Sequence, residues 1–338
     1  MTITDVAREA GVSVATVSKV INGRDGVAPA TQERVHAVVT RLGFVSSLGA
    51  RSLRAQRTGV LGVLVNEFEP YSTEILKGAW SVVRDSPYEL MSWAGGTHGG
   101  DHTGWERRSL ARLAGTLIDG AILVTPSISE RRTSFPLVAI DPHTGPLEVP
   151  SVDADNLGGA LAATAHLVEL GHRRIAFLCG RSDLESARLR EQGFRKGMAA
   201  AGLEVDPALV RVGDYDPERA STPIRDLLTL EDRPTAVFAA NDLTAIRTME
   251  IAGELGLRVP GDLSVIGFDN IPESALTTPA LTTIGQPLHD IGAAAMRMLL
   301  ALMAGEDVAE PHVRLRTTLV TRESTAPAVG ARSDRLAG

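Results

Sequence analysis

The stretch "TDVAREAGVSVATVSKVIN", residues 4–22, contains two short helical patterns that meet at one glycine. The first pattern places four apolar residues on one helix face at the spacing i, i+3, i+4, i+7, namely Ile3, Val6, Ala7 and Ala10. Gly11 follows, and glycine adopts a positive φ without the steric cost that a side chain would bring. The stretch therefore predicts a helix that ends in a tight turn.

A second helix is predicted to begin after Ser13, because a serine at this position can accept a hydrogen bond from the free N–H groups of the first turn. Its inward face comprises Val17, Val20 and Ile21, and its outer face comprises Val14, Ala15, Ser18 and Lys19. A third helix follows a loop rich in glycine and aspartate, and its apolar face comprises Val35, Val38, Val39 and Leu42. Three short helices can close a minimal core.

The order helix, glycine turn, helix is typical of the helix-turn-helix, whose second helix enters the major groove of DNA. A helical cap or a dimerisation hairpin would share the helical pattern. Residues 1–57 contain eight Lys/Arg and four Asp/Glu, a net charge of +4, whereas the remaining residues hold 26 and 37, a net charge of −11. This asymmetry favours a head that binds a polyanion and a body that does not.

The composition sets limits on the rest of the chain. A length of 338 residues exceeds what one hydrophobic core usually serves, so two or three domains are expected. Asp5 and Glu9 stand where a secretory signal needs apolar residues, and no apolar run approaches the roughly 18–20 residues of a membrane helix. We expect a cytoplasmic protein. Cys179 has no cysteine partner in the chain, which predicts a buried structural thiol rather than a nucleophile.

From Gly59 onward, short apolar runs alternate with helical patterns. The runs "GVLGVLV", "GAILVTP", "LVAID", "RRIAFLCG", "TAVFAA" and "LSVIGFD" are typical of buried parallel strands. Residues 156–170, 185–201 and 241–256 are typical of the helices between such strands. The pattern predicts an α/β body of two doubly wound parallel-sheet lobes.

Ligands of parallel sheets bind beyond the carboxyl ends of the strands, so polar residues that follow the apolar runs are candidates. The candidate pocket residues are Asn66, Tyr71, Arg190, Tyr215, Asn241 and Asp269. Carboxylates, amides and a guanidinium beside an aromatic ring suit a small polyhydroxylated ligand, because each hydroxyl both donates and accepts hydrogen bonds. Asn241 could also cap the helix that follows it. The pattern predicts a sugar or a related small molecule.

The opening stretch, followed by "ARSLR", "HLVELGHRRIAFL", "AVFAANDLTAI" and "DLSVIGFDN", closely resembles the lactose- and galactose-repressor family of bacterial transcriptional regulators. The resemblance runs from Thr2 to about Thr325 in the order found in the family. It implies a helix-turn-helix domain at 1–45, a hinge helix at 46–57 and a periplasmic-binding-protein-like body at 58–325. The two interleaved lobes would comprise about 58–156 plus 286–312, and 157–285 plus 313–325. Residues 326–338 are expected to form a disordered tail.

The resemblance also implies which residues contact DNA. Val14, Ala15, Ser18 and Lys19 match the recognition surface, and Ser13, Thr16 and Asn22 match positions that contact phosphates. In the hinge, Leu53 matches a leucine that wedges into the minor groove, and Ala50 and Arg51 match the hinge face beside it. Ser46 and Ser47 replace the usual Pro-Asn of the family, and Gly49 disfavours a helix. A flexible linker is the alternative for this segment.

Within the body, Arg190, Asn241 and Asp269 match effector-contacting positions, and Asn66 and Tyr215 match pocket positions whose identity varies. The expected partners are near-palindromic double-stranded operator DNA, a small-molecule effector and a second copy of the chain, with neither a membrane nor a cofactor. The tail has no heptad pattern, so a dimer is expected. The expected function is a ligand-responsive regulator, and specifically a repressor controlled by a sugar.

Alternative functions share part of this pattern. They are a sugar-binding protein without a transcriptional role, or a regulator that responds to a nucleoside or a phosphorylated metabolite. No P-loop, nucleophile elbow or dinucleotide fingerprint occurs, so an enzyme is not expected. His98, Asp101 and His102 lie close together in a glycine-rich loop, where a solvated loop is favoured over a metal site.

Overall fold

The computed structural model describes residues 2–21, 24–43, 57–95, 104–127, 135–143 and 149–328. The chain divides into two compact units, a head that runs up to Gly59 and a body that contains almost all of the rest. No helix in the described ranges combines the length and apolar character needed to cross a bilayer.

The head is made of three helices, α1 (Ile3–Ala10), α2 (Val14–Ile21) and α3 (Pro29–Leu42). Thr2 and Asp5 form a capping box at the start of α1, and Gly11 ends this helix with φ of 63°. The hydroxyl of Ser13 accepts a hydrogen bond from the N–H of Thr16 at 3.1 Å, as expected of an N-cap. The predicted glycine turn and the predicted N-cap are therefore both confirmed.

The core of the head is aliphatic. Its buried side chains come from all three helices and are Val6, Ala7, Ala10, Val17, Val20, Val35 and Val38. An exposed ion pair between Glu9 and Arg41, at 2.6 Å, also links α1 to α3 but adds little, because solvent screens it. The three-helix core predicted from the apolar spacing is confirmed.

The N-lobe of the body is a six-stranded, fully parallel sheet in the order β11-β5-β4-β3-β1-β2. Its strands are β1 (Val60–Val65), β2 (Glu89–Ala94), β3 (Gly120–Val124), β4 (Leu137–Ile140), β5 (Ser151–Ala154) and β11 (His312–Leu315). Helices α4 (Pro70–Val83) and α10 (Leu288–Ala304) cover one face, and α5 (Trp105–Leu113) covers the other. Both faces of the sheet are thus buried.

The C-lobe is a second six-stranded sheet in the order β12-β10-β9-β8-β6-β7, in which only the pairing of β12 with β10 is antiparallel. Its strands are β6 (Ile175–Cys179), β7 (Val210–Val212), β8 (Ala236–Ala239), β9 (Ser264–Asp269), β10 (Thr282–Gly285) and β12 (Thr318–Val320). Helices α6 (Asn156–Glu169) and α7 (Glu185–Ala200) cover one face. Helices α8 (Pro217–Leu228) and α9 (Asp242–Glu254) cover the other.

The chain crosses between the lobes three times, after β5, after β10 and after β11. The approximate lobe boundary predicted at residues 312–313 falls inside β11, which pairs with β5 along its whole length. Val313 and Leu315 pack against the N-lobe core, so this strand stays with that lobe up to Leu315. The crossing therefore lies at residues 316–317.

Candidate functional site

The outer face of α2 carries the predicted recognition residues. Val14, Ala15 and Lys19 are exposed, as is Ser13, whereas Thr16 is half-buried. The prediction that Ser18 faces outward is wrong, since Ser18 is only 9% exposed. Ser18 lies one turn before Ile21, on the edge of the inward face. Three of the four recognition residues thus form an open surface, and their contacts with DNA stay a prediction.

Four predicted DNA contacts lie outside the described residues. These are Asn22 in the head and Ala50, Arg51 and Leu53 in the hinge. The glycine-rich loop that holds His98, Asp101 and His102 also lies outside them, as do residues 329–338 of the predicted tail. Residues 326–328 of that tail are described, and they are bonded to the C-lobe: the N–H of Ala326 donates to Oγ of Ser264 at 3.0 Å, and the N–H of Ala328 donates to the carbonyl of Leu170 at 2.9 Å. Within the described ranges, no group of three or more His, Cys, Asp or Glu is arranged to hold a metal ion.

Arg190, in the second turn of α7, is the centre of a buried polar cluster in the body. It is 4% exposed, and its Nε donates a hydrogen bond to Oδ1 of Asn156 at 2.9 Å. One terminal nitrogen donates to the carbonyl of Ala240 at 2.5 Å and to Oδ1 of Asp269 at 3.3 Å. The guanidinium carbon lies 3.9 Å from the ring centre of Phe268. Arg190 is therefore held rigidly by its neighbours.

Asp269 ends β9 and completes this arrangement. Its Oδ1 also accepts a hydrogen bond from Nε2 of Gln286 at 2.7 Å. Burial raises the pKa of Asp269 to about 6, although Arg190 and Gln286 both favour the ionised carboxylate. Arg190 and Asp269 form a direct ion pair with each other, so both charges are paired within the protein.

Asn241 caps α9. Its Oδ1 accepts hydrogen bonds from the N–H of Thr244 at 3.1 Å and from the Thr244 hydroxyl at 2.5 Å. Its Nδ2 donates to the backbone carbonyl of Tyr215 at 3.2 Å. The capping interpretation of Asn241 is therefore confirmed, and the same amide holds the loop that carries Tyr215 in place.

Tyr215 presents its ring to the cluster. The ring centre lies 5.5 Å from the guanidinium carbon of Arg190, and the ring packs so closely on Gly180 that a Cβ there would overlap it. The Tyr215 hydroxyl is buried and has no hydrogen-bond partner of normal geometry among the described residues, although Ser186 faces it. A buried hydroxyl without a partner is costly, so this oxygen is suited to a ligand group.

The N-lobe contributes Tyr71 and Asn66. Tyr71 lies in the first turn of α4, and its pKa is raised well above the usual value by burial and by the charges of Asp141 and Asp269. Arg190 acts in the opposite direction on the same phenol. Asn66 directly follows β1 and is half-buried. Tyr71 thus faces the Arg190 cluster across the cleft between the lobes.

Asp141 belongs to the site and was missing from the predicted set. It directly follows β4, with φ of 48°, and its charge acts on Arg190, Tyr71 and Tyr215. Burial raises the pKa of Asp141, whereas Arg190 favours the ionised form. The signal was available, because Asp141 ends the run "LVAID" at the carboxyl end of a predicted strand. Gln286 is harder to predict from the sequence, because it follows β10, a strand that the apolar runs do not indicate.

Glu69 adds a further carboxylate on the N-lobe side. Solvent reaches this side chain, but the surrounding protein and the charges of Asp269 and Glu67 raise its pKa to about 7. Asp153 lies near Asp141, and burial raises its pKa to about 6. With Asp141 and Asp269, these carboxylates number four and outnumber the three guanidinium groups that act on them, which are those of Arg190, Arg181 and Arg314. The cleft is therefore an unfavourable place for an anionic ligand.

Asp153→Asn is expected to stabilise the body at pH 8. Oδ1 of Asp153 is buried without a partner in the described ranges, and burial and Asp141 disfavour its ionised form more than Arg314 favours it. A raised pKa means that ionised Asp153 lowers stability above pH 6, on the order of 2 kcal/mol, and that this penalty fades as the pH falls through 6. Thermal unfolding at pH 8 and pH 5 measures the difference.

Asp206→Asn is the control with the opposite sign. Hydrogen bonds from the N–H of Ala208 and from Arg174 lower the pKa of Asp206, so its loss destabilises the protein at pH 8. A lower melting temperature for Asp153→Asn than for the wild type at pH 8 would contradict the assignment of Asp153 as an unfavourable charge.

Two other features of the body are not part of the cluster. A shallow surface groove of about 400 Å³ follows the exposed face of α7 and is lined by Arg188, Gln192 and Lys196 among others. Its lining consists of solvated side chains without convergent buried groups, so the Arg190 cluster is the better candidate site. Cys179 is half-buried, and burial raises the pKa of its thiol to about 12, which keeps it protonated and unreactive.

A helix-turn-helix head and two parallel-sheet lobes with polar side chains between them define a DNA-binding regulator with a ligand-binding body. Residues 2–47 match the bacterial regulatory proteins of the lacI family, and residues 164–325 match the periplasmic binding protein-like domain. The HTH-type transcriptional repressor PurR of Aliivibrio salmonicida is 34% identical over 336 residues, which cover 96% of this chain and 98% of PurR. The chain belongs to the lacI family of bacterial regulatory proteins.

Solved structures support the same assignment. The lac repressor dimer bound to operator and the anti-inducer ONPF has a TM-score of 0.81 at 27% identity, covering 96% of this chain and 99% of the repressor chain. A complex of the transcriptional regulator CelR with cellobiose has a TM-score of 0.71 at 33% identity, with coverage of 96% and 99%. The predicted family and the predicted fold class are confirmed.

Proposed function

We propose that this chain is a transcriptional repressor whose operator affinity is set by a neutral, polyhydroxylated effector bound in the cleft between the lobes. The convergence of Arg190, Asp269, Asp141 and the buried hydroxyl of Tyr215 carries this proposal. Fixed donors and acceptors of this kind match the hydroxyls of a sugar, each of which donates and accepts. CelR, a relative that binds cellobiose, supports the same ligand class.

The charge of the cleft separates the alternatives. A phosphorylated metabolite would bring negative charge to a cleft that holds Glu69, Asp141 and Asp269, whose pKa values are already raised. A nucleoside is compatible, because it is neutral, carries hydroxyls and offers a base to the rings of Tyr71 and Tyr215. The neutral sugar is favoured by Asp141, Asp269 and the Tyr215 hydroxyl, whose oxygens can bond several ligand hydroxyls.

A thermal-shift screen of the full chain tests the ligand class. Cellobiose, other neutral mono- and disaccharides, nucleosides and sugar phosphates are added at equal concentration. We expect a neutral sugar to raise the melting temperature, because a ligand that binds only the folded state stabilises it. Sugar phosphates should give no shift. Stabilisation by sugar phosphates alone would contradict the proposal.

We further infer a homodimer that acts in the cytoplasm, is associated with the nucleoid when bound to DNA, and has no enzymatic activity. One head offers too small a contact for useful specificity, and a two-fold operator requires a two-fold protein. In this organisation, residues 1–45 bind DNA, 46–57 form the hinge, and the body extends to about residue 325. Light scattering that found a monomer or a stable tetramer at micromolar concentration would contradict the dimer.

Leu53→Ala is expected to weaken binding to a near-palindromic operator by at least about tenfold, because an apolar wedge in the minor groove contributes only where a base step can be kinked. Mobility shifts over a salt series measure the effect. Binding of the wild type should fall steeply with salt, through release of counterions by the +4 head. Random duplex is the control, and equal loss on both DNAs would instead favour the linker interpretation of residues 46–57.

A further inference from the structure

The two lobes are joined at the rim of the cleft through the backbone carbonyl of His143. This residue lies in the loop after β4 of the N-lobe, where its own N–H donates to the carbonyl of Pro126 at 3.0 Å. Its carbonyl accepts two hydrogen bonds from the C-lobe, from the N–H of Glu185 at 3.0 Å and from a terminal nitrogen of Arg188 at 3.1 Å. One N-lobe oxygen therefore holds two groups at the start of α7.

The His143 carbonyl is an acceptor for an N–H group, that of Glu185, which cannot be bonded within its own helix. Glu185 is the first residue of α7, and the N–H groups of a first turn have no acceptor within their own helix. Leu184, at the N-cap position, provides no side-chain cap. The other lobe thus supplies an acceptor for one of the N–H groups of this first turn.

Arg188 is oriented for its contact by groups of the C-lobe. Its Nε and a terminal nitrogen donate to Oε2 of Glu185 at 3.0 and 2.7 Å, and its other terminal nitrogen donates to the carbonyl of Ser182 at 3.1 Å. The imidazole of His143 is 8% exposed and lies 3.5 Å from Asp183. The His143 loop is therefore enclosed by residues 182–188 of the C-lobe.

Arg188 and Arg190 lie on the same helix, but their side chains contact different parts of the protein. Two residues along a helix correspond to about 200° of rotation, so these side chains point in nearly opposite directions. Arg190 lies in the buried cluster, whereas the Arg188 side chain is 49% exposed and meets the His143 loop. Arg188 therefore contacts the opposite lobe without contacting the candidate pocket.

We propose that the His143 carbonyl, the Glu185 N–H and Arg188 form an interlobe latch that holds the cleft closed, with Arg188 as its positioning residue. The proposal rests on the proposed function only in taking this cleft as the effector site. The apparent affinity for the effector is proportional to the fraction of molecules whose lobes are closed. A shift of the population towards open lobes therefore lowers that affinity. Arg188 thereby sets effector sensitivity from outside the pocket.

Hydrogen exchange of the Glu185 amide in the full chain tests the latch. The measurement uses mass spectrometry with single-residue resolution and no effector, so its outcome is independent of which effector binds. Arg188→Ala is expected to accelerate exchange at Glu185 by about fivefold or more, because that amide loses its interlobe partner whenever the lobes separate. Arg188→Lys, which can still donate to the carbonyl, should restore part of the protection.

Arg195→Ala is the matched control. Arg195 lies on the same helix, is similarly exposed and pairs with Glu191 four residues earlier, so its loss removes an ion pair without touching the other lobe. Exchange at Glu185 should be unchanged in this variant. Unchanged exchange at Glu185 in Arg188→Ala would overturn the latch, as would faster exchange spread evenly along α7 in both variants.

Discussion

Arg190→Ala is expected to abolish the response of operator binding to the effector and to destabilise the body by about 3–5 kcal/mol. The substitution removes the partner of Asp269 and leaves that carboxylate buried without its cation, with only Gln286 still bonded to it. It also removes the hydrogen bonds that Arg190 makes to Asn156 and Ala240. Operator affinity without effector should stay close to wild type, because these groups all lie in the body.

Stability and recognition can be separated with a second variant. Combining Arg190→Met with Asp269→Asn removes both charges, so it should recover much of the lost stability while the effector response stays absent. Urea unfolding and mobility shifts, with and without the compound that gives the largest thermal shift, measure the two effects. Asp269→Ala alone should also lose the response. A normal response in Arg190→Ala and Asp269→Ala would place the effector elsewhere.

Val17→Asp is expected to lower specific operator affinity by more than about 100-fold, by unfolding the head. Val17 is fully buried in the seven-residue core of α1, α2 and α3, and a carboxylate there has no partner. Burial of an unpaired charge costs several kcal/mol, which exceeds what so small a core supplies. The melting transition of the body should be unchanged, because its cores contain no head residue.

Val14→Ala is the control in the same helix. Val14 is 37% exposed, so its truncation leaves the head folded and alters only the contact surface. Circular dichroism and mobility shifts distinguish the two variants. Retention of specific operator binding by Val17→Asp would contradict the helix-turn-helix core described above.

The central strands of both sheets could be predicted from the sequence because they are buried on both faces. β1 and β3 are continuous apolar runs, β9 contains the apolar run VIGF between Ser264 and Asp269, and every residue of the three strands is buried. The edge strand β2 is not predicted, since none of its residues is fully buried and its sequence has no long apolar run. β7 and β12 have three residues each, which is too few positions for a pattern.

Site residues that follow the ends of strands can be predicted from the sequence. Contacts that depend on how helices pack on the sheet cannot. Asp269 and Asn241 follow buried runs, and Asp141 obeys the same rule although it was overlooked. The ion pair between Arg190 and Asp269 joins residues 79 positions apart, so it depends on how α7 packs on the C-lobe sheet. Ser18 was placed wrongly because an eight-residue helix leaves the edge of its apolar face poorly defined.

Because the chain crosses between the lobes three times, the two lobes cannot be completed in the order in which translation begins them. Strands β1 to β5 emerge first, but α10, which buries Ile291, Met296 and Leu299 against that sheet, begins only at Leu288. At a translation rate of about 5–20 residues per second, roughly ten seconds pass between the synthesis of β5 and that of α10. The C-lobe strands β6 to β10 form an uninterrupted stretch of chain in the meantime. The lobe that is translated second can thus complete most of its core first, while the N-lobe sheet still lacks α10.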